Sequence, residues 1–250
     1  MKHINQFDLA FVVDTTASMS NLIHAAQKQL VQVIDALADG NDVDMRLGIV
    51  EYRDHPPQDN MVSRVYPFTD DSAKAKKTIK ALKVNGGGDA PEAVFAGVVS
   101  ALRKLEWRAN ARRIAVLVGD APPHGVGAAG DGFPNGCPSG ETIQSVAAKA
   151  EEANVTLYAI GLNRSVKPHF GLMSTLTGGQ FFEANEGNAA IEKLKQVLQT
   201  EFGQLTFDRQ VLTAWSSSLE PNVDALADAL GSTPPTVASA VSRLQSRALL

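Results

Sequence analysis

A single cysteine, Cys137, serves all 250 residues. One thiol cannot close an internal disulfide, and it lacks the companions of a cysteine-based zinc site. Such sparing use fits a reducing, intracellular compartment. Long apolar runs are missing too. No stretch approaches the roughly 18 residues that cross a bilayer, and residues 1–8 are too polar for a secretory leader. These absences predict a cytoplasmic chain without membrane contact. There is no excess of basic residues: the net charge is -4, which argues against non-specific nucleic-acid binding by the whole chain. No Gly-x-x-x-x-Gly-Lys phosphate loop occurs. The Asp54-His55 pair has no Ser or Cys elbow beside it, which leaves a hydrolase without a nucleophile and predicts a non-enzymatic chain.

What is present is enough apolar residue, 44% of the chain, to bury a sizeable core in one large domain or one plus a small one. Buried-strand runs occupy residues 9–13, 46–52, 113–118, 155–160 and 180–183, and 61–68 is expected to pair with 46–52. Helical spacing links Met19, Leu22, Ile23, Ala26, Leu30, Val33, Ile34 and Leu37, with Gly40 as a stop. Further helices are expected over 72–82, 89–105, 141–153, 170–176 and 189–202. Strands alternating with helices predict an α/β fold: a doubly wound, mostly parallel sheet with helices on both faces. Residues 121–140, rich in Gly and Pro, form a loop long enough to be functional.

After residue 202 no strand is expected. Three short helices are predicted over 207–217, 223–230 and 234–247, with a boundary within 203–206 separating domains 1–205 and 206–250. Gly231 suits a left-handed turn, and Thr233 with Pro234 suits a helix start. The last two helices resemble a winged helix-turn-helix, which would place Arg243 and Arg247 as nucleic-acid candidates. Residues 206–250 set Arg209, Arg243 and Arg247 against Asp208, Glu220, Asp224 and Asp228. That footprint is poor for phosphate neutralisation. Protein docking or dimerisation is therefore expected over DNA binding. Its core is expected from Val223, Leu226, Leu230, Val237, Val241 and Leu244.

The run Asp14-Thr15-Thr16-Ala17-Ser18 follows a predicted strand and precedes a predicted helix. It places a carboxylate and two hydroxyls at alternate positions beyond a strand's carboxyl end, where open α/β sheets bind ligands. Hard oxygen donors suit Mg²⁺, with Mn²⁺ or Ca²⁺ as alternatives. A turn in which Ser18 merely caps the next helix is the other reading. Asp120 ends the strand over 114–118, and Asp89 follows three glycines. Asp89 has a second reading as a helix cap, with Glu92 three residues on completing a capping box. His124 is expected to pack a loop, and Cys137 to be inert.

Together these segments resemble the von Willebrand factor type A family. Asp14, Thr16 and Ser18 match its Asp-x-Ser-x-Ser motif, and Asp120 in Val118-Gly119-Asp120 matches its last acidic ligand. Gly86-Gly87-Gly88-Asp89-Ala90-Pro91-Glu92 and Asp120-Ala121-Pro122-Pro123-His124-Gly125 are similar to one branch of that family, over residues 7–202. The resemblance implies a metal-ion-dependent adhesion site built by Asp14, Thr16, Ser18, Asp89 and Asp120, Asp89 standing where a Thr is usual. It implies an open metal position that an acidic residue of a protein partner fills. Three carboxylates around a divalent ion would strengthen metal retention and weaken attraction to an acidic partner. The expectation is a Mg²⁺-dependent interaction or adaptor domain, partnered by ATPase or effector proteins, with a helical docking unit. The alternative is a DNA-binding regulator.

Overall fold

β1 (Gln6–Asp14) runs through the middle of a six-stranded sheet. Its neighbours are β2 (Asp44–Tyr52) and β4 (Arg112–Gly119), both parallel to it. β5 (Thr156–Gly161) and β6 (Phe181–Glu183) continue the parallel ladder on one side. β3 (Ser63–Thr69) closes the other edge antiparallel to β2, the pairing expected from sequence. The order is β3-β2-β1-β4-β5-β6. The structure is a computed structural model describing residues 3–24, 43–184 and 186–250.

The period of two along β1 sends side chains to two cores. Phe7, Leu9 and Phe11 pack with Ile79, Ile191 and Leu194 on one face. Ala10 and Val12 pack with Phe95, Val98 and Phe170 on the other. Helices supply each layer. On the first face lie α1 (Ser72–Ala81), capped by Asp71, and the start of α5 (Gly187–Ser217). On the second lie α2 (Val94–Lys104), α3 (Ile143–Glu152) and α4 (Lys167–Leu176). Residues 20–24 open a helix, with Met19, Leu22 and Ile23 buried. The positions Ala26, Leu30, Val33, Ile34, Leu37 and Gly40 lie outside the described residues.

Three local expectations are corrected. The helix expected from Asp89 begins at Val94, because Glu92 is held in a bridge to Pro123 and Ala93 takes the cap position; Asp89 caps nothing. Thr233 precedes α7 (Pro234–Ser246) as expected but makes no capping bond, since its hydroxyl meets that of Thr236. The two helices expected over 189–202 and 207–217 are one helix of 31 residues, and 203–206 lies inside it.

The second half of α5 joins α6 (Val223–Leu230) and α7 in a separate apolar cluster. Leu226, Val237, Val241 and Leu244 are buried there, and Val223 and Leu230 pack against them. Val211, Leu212 and, from the far end of the chain, Ile4 complete it. Gly231 ends α6 with the left-handed φ of 59° that its sequence predicts.

Buried ion pairs stitch this unit down. Glu201 of α5 accepts both Nε and Nη2 of Arg112 on β4, at 2.7 and 2.9 Å, and the Tyr158 hydroxyl at 2.5 Å. Asp208 of α5 receives Arg243 of α7 in a forked contact as short as 2.6 Å. Arg247 is itself buried, its guanidinium donating to the carbonyls of Asn110 and Ile4. Burial pushes its pKa down to about 10. Ile4 and Asn110 precede β1 and β4, so the C-terminal helices sit at the amino edge of the sheet.

Candidate metal centre

The opposite, carboxyl edge carries the acidic loops. β1 and β4 are adjacent, while the chain leaves β1 towards β2 and reaches β4 from the other face's helices. The order reverses between them, which makes the crevice beyond their ends the ligand site of a doubly wound sheet. Asp14 is the last residue of β1 and Asp120 follows β4.

A continuous chain of short contacts joins the predicted residues. Asp14 Oδ1 accepts from the Thr16 amide at 2.8 Å and from its hydroxyl at 2.6 Å. Thr16 Oγ1 lies 3.3 Å from Ser18 Oγ, which donates to Asp120 Oδ1 at 3.1 Å. Thr15, between them, turns inward to Glu51 and the Tyr52 carbonyl, so the alternation that places Asp14, Thr16 and Ser18 on one side is real. The chain runs from a fully buried Asp14 to an exposed Ser18. Asp14 Oδ2 is buried without a hydrogen-bond partner, which leaves a carboxylate oxygen for a cation.

The glycine loop closes over this chain. Asn85 donates to the Thr15 carbonyl at 3.0 Å, and Ala17 to that of Gly86 at 3.3 Å. Gly87 adopts φ +87°, and a Cβ there would stand 3.2 Å from Glu92 Oε1 and 3.4 Å from Thr16 Cβ. A side chain would be strained and would crowd the site.

Asp89 stands apart from the hydroxyls. Its Oδ2 accepts the Gly132 amide at 2.5 Å, and it faces Asp54 and His124. Sequence reading missed this second cluster. His124 is fully buried, not simply loop packing. Its Nε2 lies 2.5 Å from Asp54 Oδ1 and its Nδ1 2.8 Å from Asp131 Oδ1. Asp54 and His55, which resemble a catalytic pair in sequence, do not pair through their side chains. Asp54 turns its carboxylate to His124 and to the His55 amide. His55 Nε2 instead lies 3.5 Å from Cys137 Sγ, a partner that the sequence did not reveal. Burial pushes the thiol pKa up and the His55 pKa down, so the pair stays neutral.

Glu92 was also missed, having been read only as part of a cap. It is buried, keeps Oε2 unpartnered, and lies in the field of Asp14, Asp54, Asp89 and Asp120. Burial, then those four charges, push its pKa up to about 9. Burial pushes Asp14 up to about 7 against the Thr16 donors. Burial likewise raises Asp89 and Asp120. The Tyr52 hydroxyl is buried beside them without a partner. So much negative charge with so few donors is an unsatisfied anion cluster, and divalent cations are what such a cluster takes.

Gly125-Val126-Gly127-Ala128-Ala129-Gly130 spells a dinucleotide fingerprint but opens no helix, since α3 starts only at Ile143. The nucleic-acid candidates fare no better. Arg243 is spent on Asp208, and Arg247 is buried against carbonyls. Among the described residues no helix is long and apolar enough to cross a membrane.

Comparison with known proteins agrees with this geometry. A family model of the von Willebrand factor type A domain matches residues 8–200. The alpha-protein kinase vwkA of Dictyostelium discoideum is 28% identical over 154 residues, 60% of this chain and 24% of that protein. A putative ariadne-like RING finger protein of Acanthamoeba polyphaga mimivirus is 28% identical over 197 residues, 74% of this chain and 19% of its own length. The chain thus matches about a quarter or less of these relatives. Proximal thread matrix protein 1 of the mussel byssus superposes with a TM-score of 0.59 at 13% identity, over 79% of this chain and 46% of its own. The same protein has been solved with a zinc-occupied MIDAS motif. The pilus adhesin SpaC of Lactobacillus rhamnosus GG gives a TM-score of 0.54 at 13% identity, over 80% and 30%. At such identities the solved structures share the fold.

Proposed function

Because the chain belongs to the von Willebrand factor type A domain family, we propose that it is a Mg²⁺-dependent protein-interaction domain that binds an acidic group of its partner at the carboxyl edge of the sheet. The observation that carries this reading is the Asp14–Thr16–Ser18–Asp120 chain, which ends in an unpartnered, buried Asp14 oxygen. Asp14, Thr16, Ser18 and Asp120 would hold the ion, and Asp89 would act on it through water. The bound metal supplies a positive charge with an open position for a partner's carboxylate. The protein's own contribution is to fix the oxygens and to leave Ser18 at the surface, so that the position faces solvent.

A binding domain accounts for the site better than an enzyme does. Asp54 is committed to His124, and Cys137 is a neutral thiol. The C-terminal helices are read as a protein-docking unit, because both arginines suited to DNA phosphates are used internally. The test is capture of partners from a lysate by immobilised protein, with Mg²⁺ or with EDTA, comparing the native chain with Asp14→Ala. Partners retained equally in EDTA and by Asp14→Ala would refute a metal-dependent interaction.

A further inference from the structure

Beside the hydroxyl-lined loop lies a cluster of different chemistry. Among the described residues, Asp54, Asp89 and His124 offer two carboxylate oxygens and one imidazole nitrogen within 4.8 Å of one another. Asp54 is fully buried, and its Oδ2 has no hydrogen-bond partner. Asp89 Oδ1 and Glu92 Oε2 are unpartnered as well, and so is Oε1 of the neighbouring Gln58. A buried polar oxygen without a donor is costly, and three such carboxylate oxygens and one amide oxygen, from the two loops 54–58 and 89–92, point to a missing cation.

The imidazole says which cation. Asp131 accepts from the amides of Gly125 and Phe133, each at 2.8 Å, and is therefore fixed as a pure acceptor. It lies 2.8 Å from His124 Nδ1, so Nδ1 must carry a proton. Nε2 is left to face Asp54 and Asp89. A carboxylate that holds one ring nitrogen protonated while the other faces oxygen ligands is the arrangement that orients metal-bound histidine. A nitrogen donor with two carboxylates suits Zn²⁺ and its borderline neighbours, whereas Mg²⁺ takes oxygen alone.

We propose that Asp54, Asp89 and His124 form a second cation site, selective for Zn²⁺-class metals, with Asp131 as the residue that positions His124. It differs from the Mg²⁺ site in every ligand except Asp89, which lies between the two. Around a tetrahedral ion with bonds of about 2.0–2.1 Å, ligand atoms stand about 3.3 Å apart. Asp54 Oδ1 and His124 Nε2 are 2.5 Å apart, so holding a metal between them would need this gap to open by about 1 Å.

The experiment uses the full chain, stripped of metal and saturated with Mg²⁺, then titrated with Zn²⁺. X-ray absorption at the zinc edge reads the ligands. One Zn²⁺ per chain is expected, with imidazole scattering. Asp54→Asn and His124→Gln should lose affinity by tenfold or more, while Ser18→Ala keeps it. Should His124→Gln fail to fold, Asp131→Asn replaces it, since Asp131 orients His124 Nδ1 and is no ligand of the loop site. Zinc bound without an imidazole signature, or with undiminished affinity in Asp54→Asn, overturns the proposal. So does zinc displaced by Mg²⁺ or lost in Ser18→Ala, because the ion would then occupy the loop site. Partner capture in Mg²⁺ reports on the loop site separately, so the two readings fail independently.

Discussion

Ser18 Oγ donates to Asp120 Oδ1 at 3.1 Å, across 102 residues of sequence. The contact fixes the separation of two loops that follow different strands. In the proposed metal-bound form the hydroxyl and carboxylate that meet each other here would turn to a shared ion.

Asp14→Ala should abolish Mg²⁺ binding, at least tenfold in affinity by isothermal titration. The fold should survive. The substitution removes two hydrogen bonds from Thr16, each worth about 0.5–1.5 kcal/mol, but it also relieves a buried carboxylate near Asp120 and Asp54. A melting temperature within a few degrees of the native protein is expected. Unchanged Mg²⁺ affinity would make Asp14 a turn residue only.

Metal-free protein should lose stability as pH rises. Asp14 and Glu92 hold protons in the folded state up to about 7 and about 9, against 3.8 and 4.5 when unfolded. The folded state therefore binds more protons through this window, and its stability falls as pH climbs from about 4 to about 9. Thermal melts in EDTA between pH 5 and 9 read the slope. Mg²⁺ should flatten it, stabilising most at high pH, where the carboxylates are free to bind.

Glu92→Gln should raise the melting temperature of metal-free protein at pH 8. It removes a buried acid surrounded by four others while keeping its shape. Divalent-ion affinity should fall in the same variant, because the attraction of the cluster for cations is reduced. A lower melting temperature in EDTA would show that Glu92 has a donor in solution.

Arg243→Ala should destabilise the protein by about 3–5 kcal/mol, because it strands a buried Asp208 without its cation. Urea unfolding measures this, and Asp208→Asn in the same background should recover part of the loss. The native chain should show no sub-micromolar binding to random or genomic DNA duplexes at about 50 mM salt by fluorescence anisotropy. Tight binding that Arg243→Ala destroys without unfolding the chain would restore the DNA reading.

The sheet and the Asp14 loop were legible because each depends on local order. A short apolar run bounded by turn residues reads as a strand buried on both faces, and alternate ligands on one loop show themselves by spacing. What failed was whatever depended on partners distant in sequence. Glu201 and Asp208 fall in the buried stripe of α5 with Leu198, Leu205 and Leu212. As acids they carry no signature of burial in the sequence, so nothing there marks 189–217 as one continuous buried stripe. Arg112 and Arg243, which make their burial tolerable, lie 89 and 35 residues away. The same holds at the metal centre. Asp54, Asp89 and His124 belong to three segments, and long-range contacts such as the bridge of Glu92 to Pro123 and the Gly132 amide on Asp89 bring the last two together. Asp89 stood out in the sequence as a ligand candidate, but its neighbours Asp54 and His124 were not foreseen.

Ile4 lies in the core of the C-terminal helices, and its carbonyl receives the guanidinium of Arg247 at 2.7 Å. The segment before β1 and the last turn of α7 thus lie side by side, at the pole away from the acidic loops, with β1's nine residues, roughly 25–30 Å, between. Attachment at this pole, to a neighbouring domain or to a sensor chip, would turn the acidic loops outward. An attachment at one of these two segments can be exchanged for an attachment at the other without changing what the domain presents.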